Sequence, residues 1–147
     1  TKDAIAEIDI IGILSKEINK TRVDQVVTKQ AINAIKVLDT TKQLEAIQVL
    51  LDENNLVTLT PVFTTILRAF RGIYENLPKH GQQSIDRALL ELFHKNHYLT
   101  KVELNISYIV QILSISMTDE KTMFFSKTFD SIVNPFIRRQ IVVAMSN

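Results

Sequence analysis

The stretch that decides the fold is Asn134-Pro135-Phe136-Ile137-Arg138-Arg139-Gln140-Ile141-Val142-Val143-Ala144-Met145. Pro135 suits the first turn of a helix, because its missing N–H would have no helical partner there and its fixed φ is already helical. Arg138 and Arg139 fall together on the flank of this helix. The apolar residues that recur at helical spacing are Ile137, Ile141, Val142 and Met145. The stretch therefore predicts a helix that begins at Pro135 and buries one side.

Helical spacing of apolar residues continues through the rest of the chain. Only three Gly and three Pro occur, which leaves little room for the tight turns of a β-rich fold. A helix that opens with Pro and carries an early Arg pair before an apolar, Ala-containing end resembles the second helix of a HEAT-type repeat. The fold class that we predict is all-α, with about eight helices in antiparallel hairpins, as an irregular HEAT-like solenoid or a compact bundle.

Local signals place several helix boundaries within this pattern. Thr60-Pro61 predicts the N-cap and the first residue of a helix, so Val57-Thr58-Leu59 before it is interpreted as a connector. Thr100 and Glu103 have the spacing of a capping box for a helix over 101–117. That helix is apolar nearly all round, which predicts burial on several sides and leaves self-association open.

Composition places the chain among ordinary globular proteins. Apolar residues make up 46% and charged residues 22% of 147 residues, which excludes disorder and suffices for one core. We predict a single all-α domain over 1–147, and we expect a fragment of a longer protein because the chain starts without Met. The absence of Cys fits a reducing compartment, and we predict a cytoplasmic location. No apolar run approaches the roughly 18–20 residues of a membrane span, so no membrane partner is expected.

The net charge of +1 conceals an uneven distribution of charge. Residues 1–60 carry seven Lys/Arg against nine Asp/Glu, whereas residues 61–101 carry six against three. Arg68 and Arg71 lie on one helical face and could contact phosphates, although Glu75 four residues after Arg71 favours a solvated face. The candidate residues for binding nucleic acid or a partner are Arg68, Arg71, Arg87, Lys95, Lys101, Arg138 and Arg139.

Two tyrosines are further candidates for contact with nucleic acid. Tyr74 and Tyr98 could stack nucleobases, but each also fits the edge of a core with its hydroxyl in water.

Catalytic and metal-binding motifs are hard to find. The three glycines are isolated, so no phosphate-cradling loop is predicted, and no Ser or Thr lies in a sharp Gly-flanked turn. His94 and His97 could share a metal, but no further ligand completes a metal motif. The sequence favours a polar helix end, where histidines interact well with the helix dipole, over a metal site. We predict no catalytic residue, no metal site and no cofactor.

The residues from Asp86 to Asn147 carry a second resemblance. The segments 89–93, 98–104 and 135–145 look like the helical region that follows the polymerase core in some bacterial reverse transcriptases, which are RNA-directed DNA polymerases. The resemblance implies a carboxyl-terminal accessory domain with the active site upstream and outside this chain. In HEAT-like helices an Arg at the position of Arg138 usually contacts a neighbouring acid, and Asp130 is the local candidate.

Two functions remain as hypotheses. The first is a non-catalytic accessory domain, in a protein resembling a bacterial reverse transcriptase, that binds RNA or DNA or docks a partner such as another domain of the parent protein. The second is a protein-binding or oligomerising scaffold with no nucleic-acid role. Salt separates them, because phosphate contacts are lost steeply as salt rises and an apolar interface is not. A third and weaker hypothesis is a metal-dependent activity at His94 and His97, which a bound metal would support.

Overall fold

The computed structural model describes residues 8–146 and contains helices and no strand in that range. The α-helices are α1 (Ile10–Ile18), α2 (Gln25–Asn33), α3 (Thr40–Leu51), α4 (Glu53–Leu59), α5 (Phe63–Ile73), α6 (Lys79–His94), α7 (Glu103–Leu113), α8 (Asp119–Phe129) and α9 (Pro135–Met145). Short 3-10 turns lie at Ala34–Val37, Thr60–Val62, Tyr74–Asn76 and Tyr98–Lys101. Because Glu53–Asn76 forms one continuous helix, the described chain has about eight helices. The predicted all-α class is confirmed.

Aspartate side chains begin four successive helices, α1 to α4. Each carboxylate accepts a hydrogen bond from a backbone N–H group two or three residues further on, which satisfies a donor that the helix itself cannot pair. Asp24, for example, accepts from the N–H groups of Val26 and Val27 at 3.0 and 3.2 Å. The four capping residues are Asp9, Asp24, Asp39 and Asp52.

Three of the predictions about helix boundaries are wrong. Val57-Thr58-Leu59 is helical, because the Asp52 cap begins a new helix immediately after α3. Thr60 and Pro61 then lie in a 3-10 turn inside the continuous helix and do not begin one. Thr100 does not form a capping box either. Its hydroxyl donates to the carbonyl oxygen of His97 at 2.6 Å, within the 3-10 turn that precedes α7.

The backbone contacts divide the described chain into two compact units, one ending at Ile85 and one beginning at Asp86. The prediction of a single domain over 1–147 stays a prediction beside this division. In the first unit, α1 packs against α2 and α2 packs against α5. The helix Glu53–Asn76 could cross a membrane by length and composition alone. Burial in the core of the first unit explains the apolar composition of this helix equally well. Its fully buried side chains include Leu59, Val62, Ile66, Leu67, Phe70 and Tyr74.

Glu17 is a buried carboxylate in the first unit, with 4% of its surface exposed. Its oxygens accept hydrogen bonds from the Lys20 ammonium and, at 2.9 Å, from the backbone N–H of Asp24. These two donors, the lysine first, hold the pKa of Glu17 below its usual range. The charged carboxylate thereby ties the end of α1 to the residue that caps α2.

In the second unit, α9 packs against both α7 and α8. Buried side chains lie all around α7, including Ile109, Ile112 and Leu113, as the apolar pattern predicted. An ion pair links α6 to α8: the Lys121 Nζ lies 2.9 Å from Asp86 Oδ2 and also donates to the Ser116 carbonyl oxygen. Lys121 is 2% exposed, so this charge is satisfied entirely by neighbouring protein groups.

Candidate nucleic-acid interface

The seven basic residues predicted from the sequence divide between the two units. Arg68 and Arg71 are exposed on α5 of the first unit. The second unit contains Arg87, Lys95, Lys101, Arg138 and Arg139. These residues therefore have to be considered as two separate sets.

The Arg138 side chain contacts backbone carbonyl groups and an aromatic ring of the protein itself. Its Nη1 donates to the carbonyl oxygens of Phe129 and Ile132 at 3.2 and 3.1 Å, and its guanidinium carbon lies 4.0 Å from the centre of the Phe129 ring. The hydrogen bonds go to the last carbonyl group of α8 and to a carbonyl group three residues beyond it, and not to the carboxylate of Asp130, the predicted acid. This geometry favours a role in holding α8 to α9 over contact with a ligand. Its neighbour Arg139 is exposed.

The end of α6 is a Schellman turn built on Asn96. Asn96 has a φ of 52°, in the left-handed region that asparagine tolerates better than most residues. Its N–H donates to the Phe93 carbonyl at 3.0 Å, and the next N–H, of His97, donates to the Leu92 carbonyl at 2.9 Å. These two bonds close the helix and fix the direction of the chain into the 3-10 turn Tyr98–Lys101.

Basic and aromatic side chains come together at this turn. We call this set, namely His94, Lys95, His97, Tyr98 and Lys101, the connector patch. The Lys101 ammonium donates to the Asn96 side-chain oxygen, which places it beside the end of α6. Arg87 lies two turns before His94 on the same face of α6, a distance of about 10 Å along the helix.

The two lysines of the connector patch are exposed. Lys95 Nζ lies 3.7 Å from Glu91 Oε1, and both side chains are about half exposed. An exposed pair of this kind contributes little energy. Lys101 donates to the uncharged side-chain amide of Asn96, and that contact does not neutralise its charge.

The aromatic members of the patch form a stacked pair. The rings of His97 and Tyr98 have centroids 4.4 Å apart and planes inclined by 28°. Tyr98 is 52% exposed, whereas Tyr74 is fully buried. Of the two tyrosines considered from the sequence, the fold therefore presents Tyr98 to solvent and places Tyr74 in the core.

The geometry around His94 and His97 bears on the metal hypothesis. His97 Nδ1 accepts a hydrogen bond from the Leu99 N–H at 3.1 Å, which engages one of its two possible ligand atoms. Across residues 8–146, no group of three or more His, Cys, Asp or Glu side chains is placed to hold a metal ion. These observations give the third hypothesis no support.

A half-open groove of about 700 Å³ adjoins the connector patch within the second unit. His94 and Lys101 line it, and its aromatic lining includes Phe93 and Phe124, whose rings meet edge to face with centroids 5.0 Å apart. Lys127 from α8 adds a third basic side chain to its lining. Met123 and Val133 are 67% and 89% exposed beside these residues.

Sequence reasoning found the lysines of the patch but not the turn that gathers them. The one available signal was Asn96, since an asparagine after the last turn of a helix is a common left-handed terminator. Compared with known protein families, with curated proteins and with solved structures, the chain matches none of them. The function proposed below therefore rests on the chemistry and geometry of the described residues.

Proposed function

We propose that this chain is a non-catalytic all-α accessory domain that binds nucleic acid through the connector patch and the neighbouring Arg87. The parent protein would be one that resembles a bacterial reverse transcriptase, with its polymerase active site outside this chain. Arg87, Lys95 and Lys101 would contact phosphates, and Tyr98 would add an aromatic surface beside them.

The observation that carries this proposal is the position of Lys101. Its ammonium reaches back to Asn96, so two lysines six residues apart stand beside one turn, and Arg87 continues the positive charge along α6. Phosphate contacts supply most of the sequence-independent affinity of proteins for nucleic acid. A cluster of cations next to an exposed aromatic ring is the usual composition of such a surface.

Protein docking is the second candidate function, and the groove beside the patch favours it. Exposed Met123 and Val133, together with the aromatic lining, offer apolar surface of the kind that buries against a protein partner. The partner could be another domain of the parent protein or a second copy of this chain. Ile109 and Ile112 of α7 are fully buried and Ile106 is half-buried, and the self-association that the sequence left open stays a prediction.

Binding of the purified chain to a labelled structured RNA and to a DNA duplex, at about 50 and 200 mM salt, tests the proposal. If three phosphates are contacted, the affinity should fall by about 20- to 40-fold between these concentrations. The variant Arg87→Glu/Lys101→Glu should lose at least tenfold in affinity at the lower salt concentration, because it reverses two charges of the proposed surface.

Lys29→Glu/Lys36→Glu is the matched control, since it changes the net charge equally at two exposed lysines of the first unit. It should lose much less affinity than the Arg87/Lys101 variant. Absence of binding at the lower salt concentration would refute the nucleic-acid proposal. Binding to a protein partner that persists at the higher salt concentration would then favour the second candidate.

A further inference from the structure

We propose that two copies of this chain associate as a two-fold symmetric dimer through an exposed apolar face of the second unit. We call this surface the α7–α9 face. It consists of exposed residues on the outer sides of α7 and α9, namely Glu103, Leu104, Phe136, Arg139, Val142 and Val143. The inference does not rest on the proposed function, because no residue of the connector patch belongs to this face.

Two side-chain contacts set α7 and α9 side by side. The Asn134 amide donates to Glu103 Oε2 at 3.0 Å, at the beginning of both helices. Further along both helices, the Ser107 hydroxyl donates to Gln140 Oε1 at 3.1 Å. Because the two contacts advance in the same direction along each helix, α7 and α9 run parallel as neighbours. Their outer sides therefore form one continuous surface.

Apolar side chains of both helices are exposed on this surface. Phe136 and Val143 lie four residues before and three residues after Gln140, on the same side of α9. Leu104 lies three residues before Ser107, on the corresponding side of α7. Leu104, Phe136 and Val143 are each more than half exposed. Large apolar side chains that collect on one side of a folded unit are typical of a protein–protein contact.

The charges of the face favour a second copy as the molecule that covers it. Glu103 is the charged residue of α7, and α9 has Arg138 and Arg139. Since Arg138 bonds to carbonyl groups of its own chain, the face presents one acid and one base. A face with charges of one sign would repel its own copy, whereas a face with both signs can complement itself across a two-fold axis. The net charge of +1 adds little repulsion between copies at long range.

The size of the face determines the expected strength of the dimer. The two helices have 11 residues each, so side by side they cover about 16 Å by about 20 Å. Each partner of a stable complex usually buries about 800 Å², which places this face at the small end of specific interfaces. We therefore expect a reversible dimer with a dissociation constant in the micromolar range.

Sedimentation velocity of the whole chain at about 1 to 200 μM measures this association. The wild-type protein should shift from monomer to dimer as its concentration rises. Phe136→Lys/Val143→Lys and Phe136→Glu/Val143→Glu should each weaken the dimer by at least about tenfold, because like charges then oppose each other across the interface. Val26→Lys/Val57→Lys is the matched control, at two valines of the first unit that are also more than half exposed. It should dimerise as the wild type does.

An equimolar mixture of the Lys and Glu variants of the face identifies the occupant directly. The mixture should form a dimer, because the two faces then carry opposite charges, and this dimer should weaken as salt rises. A wild-type protein that stays monomeric at the highest concentration would overturn the inference. A mixture that stays monomeric, with both variants folded by circular dichroism, would overturn it as well, and so would a control variant as weakly dimeric as the face variants. None of these outcomes bears on nucleic-acid binding, which the oligonucleotide titrations test separately.

Discussion

Arg138 and Arg139 are neighbours in sequence, yet their side chains meet different surroundings. Arg138 donates to the carbonyl group of Phe129 at the end of α8 and to that of Ile132 in the α8–α9 connection, and it covers the Phe129 ring. Arg139 is exposed on α9. The planar guanidinium explains the choice at position 138, because it can bond and stack at the same time, which an ammonium cannot do as well.

Arg138→Lys should therefore lower the free energy of unfolding by about 1–2 kcal/mol, since the carbonyl hydrogen bonds and the ring contact are weakened together. Arg139→Lys is the matched control and should change it by less than about 0.5 kcal/mol. Urea denaturation followed by circular dichroism measures both. Equal effects of the two substitutions would mean that the contacts of Arg138 do not stabilise the α8–α9 connection.

At the scale of elements, apolar spacing predicted the existence of the helices, because one-sided burial repeats every three to four residues. Apolar spacing could not predict the helix boundaries at which two local hydrogen-bonding arrangements compete. Val57-Thr58-Leu59 has strand-forming side chains but becomes helical after the Asp52 cap. Thr100 could bond forwards to cap α7 or backwards to His97, and the fold takes the second arrangement. Sequence patterns do not decide between two such hydrogen bonds of similar strength.

The ion pair between α6 and α8 could not be predicted from the sequence, for a different reason. Asp86 and Lys121 are far apart in the chain, and only tertiary packing brings their charges within 2.9 Å. Lys121→Met should destabilise the protein by about 3 kcal/mol, because it removes the ammonium that lies against the largely buried Asp86 carboxylate. Lys127→Met, at an exposed lysine of the same helix, should cost less than about 0.5 kcal/mol.

Chemical denaturation of these two variants and of Lys121→Met/Asp86→Leu completes a test of the pair. The double variant should regain part of the lost stability, since no buried charge is left without a partner. A Lys121→Met variant as stable as the Lys127→Met control would show that the ion pair contributes nothing to holding α8 on α6.

For the whole molecule, a net charge of +1 provides little long-range attraction for a polyanion. Any affinity for nucleic acid must therefore come from local clusters of charge. The sequence identified basic residues by type, and it could not tell which of them the fold would use internally. Lys121 is buried and Arg138 is half-buried among the protein groups that they bond, whereas Lys95 and Lys101 are exposed beside the turn at the end of α6. The candidate site was thus predictable as a set of residues but not as a surface.

Two charge reversals in different units test whether location or total charge governs binding. Arg68→Glu/Arg71→Glu and Arg87→Glu/Lys101→Glu lower the net charge by the same amount, so any long-range effect is common to both. The second variant should bind a single strand at least tenfold more weakly than the first. It should also flatten the salt dependence by about 0.7 per lost phosphate contact, whereas the first should keep the wild-type slope. Titrations of both variants at several salt concentrations give these slopes.

If the Arg68/Arg71 variant were the weaker binder with the flatter slope, the phosphate contacts would belong to α5 of the first unit, and the connector patch would not be the binding surface.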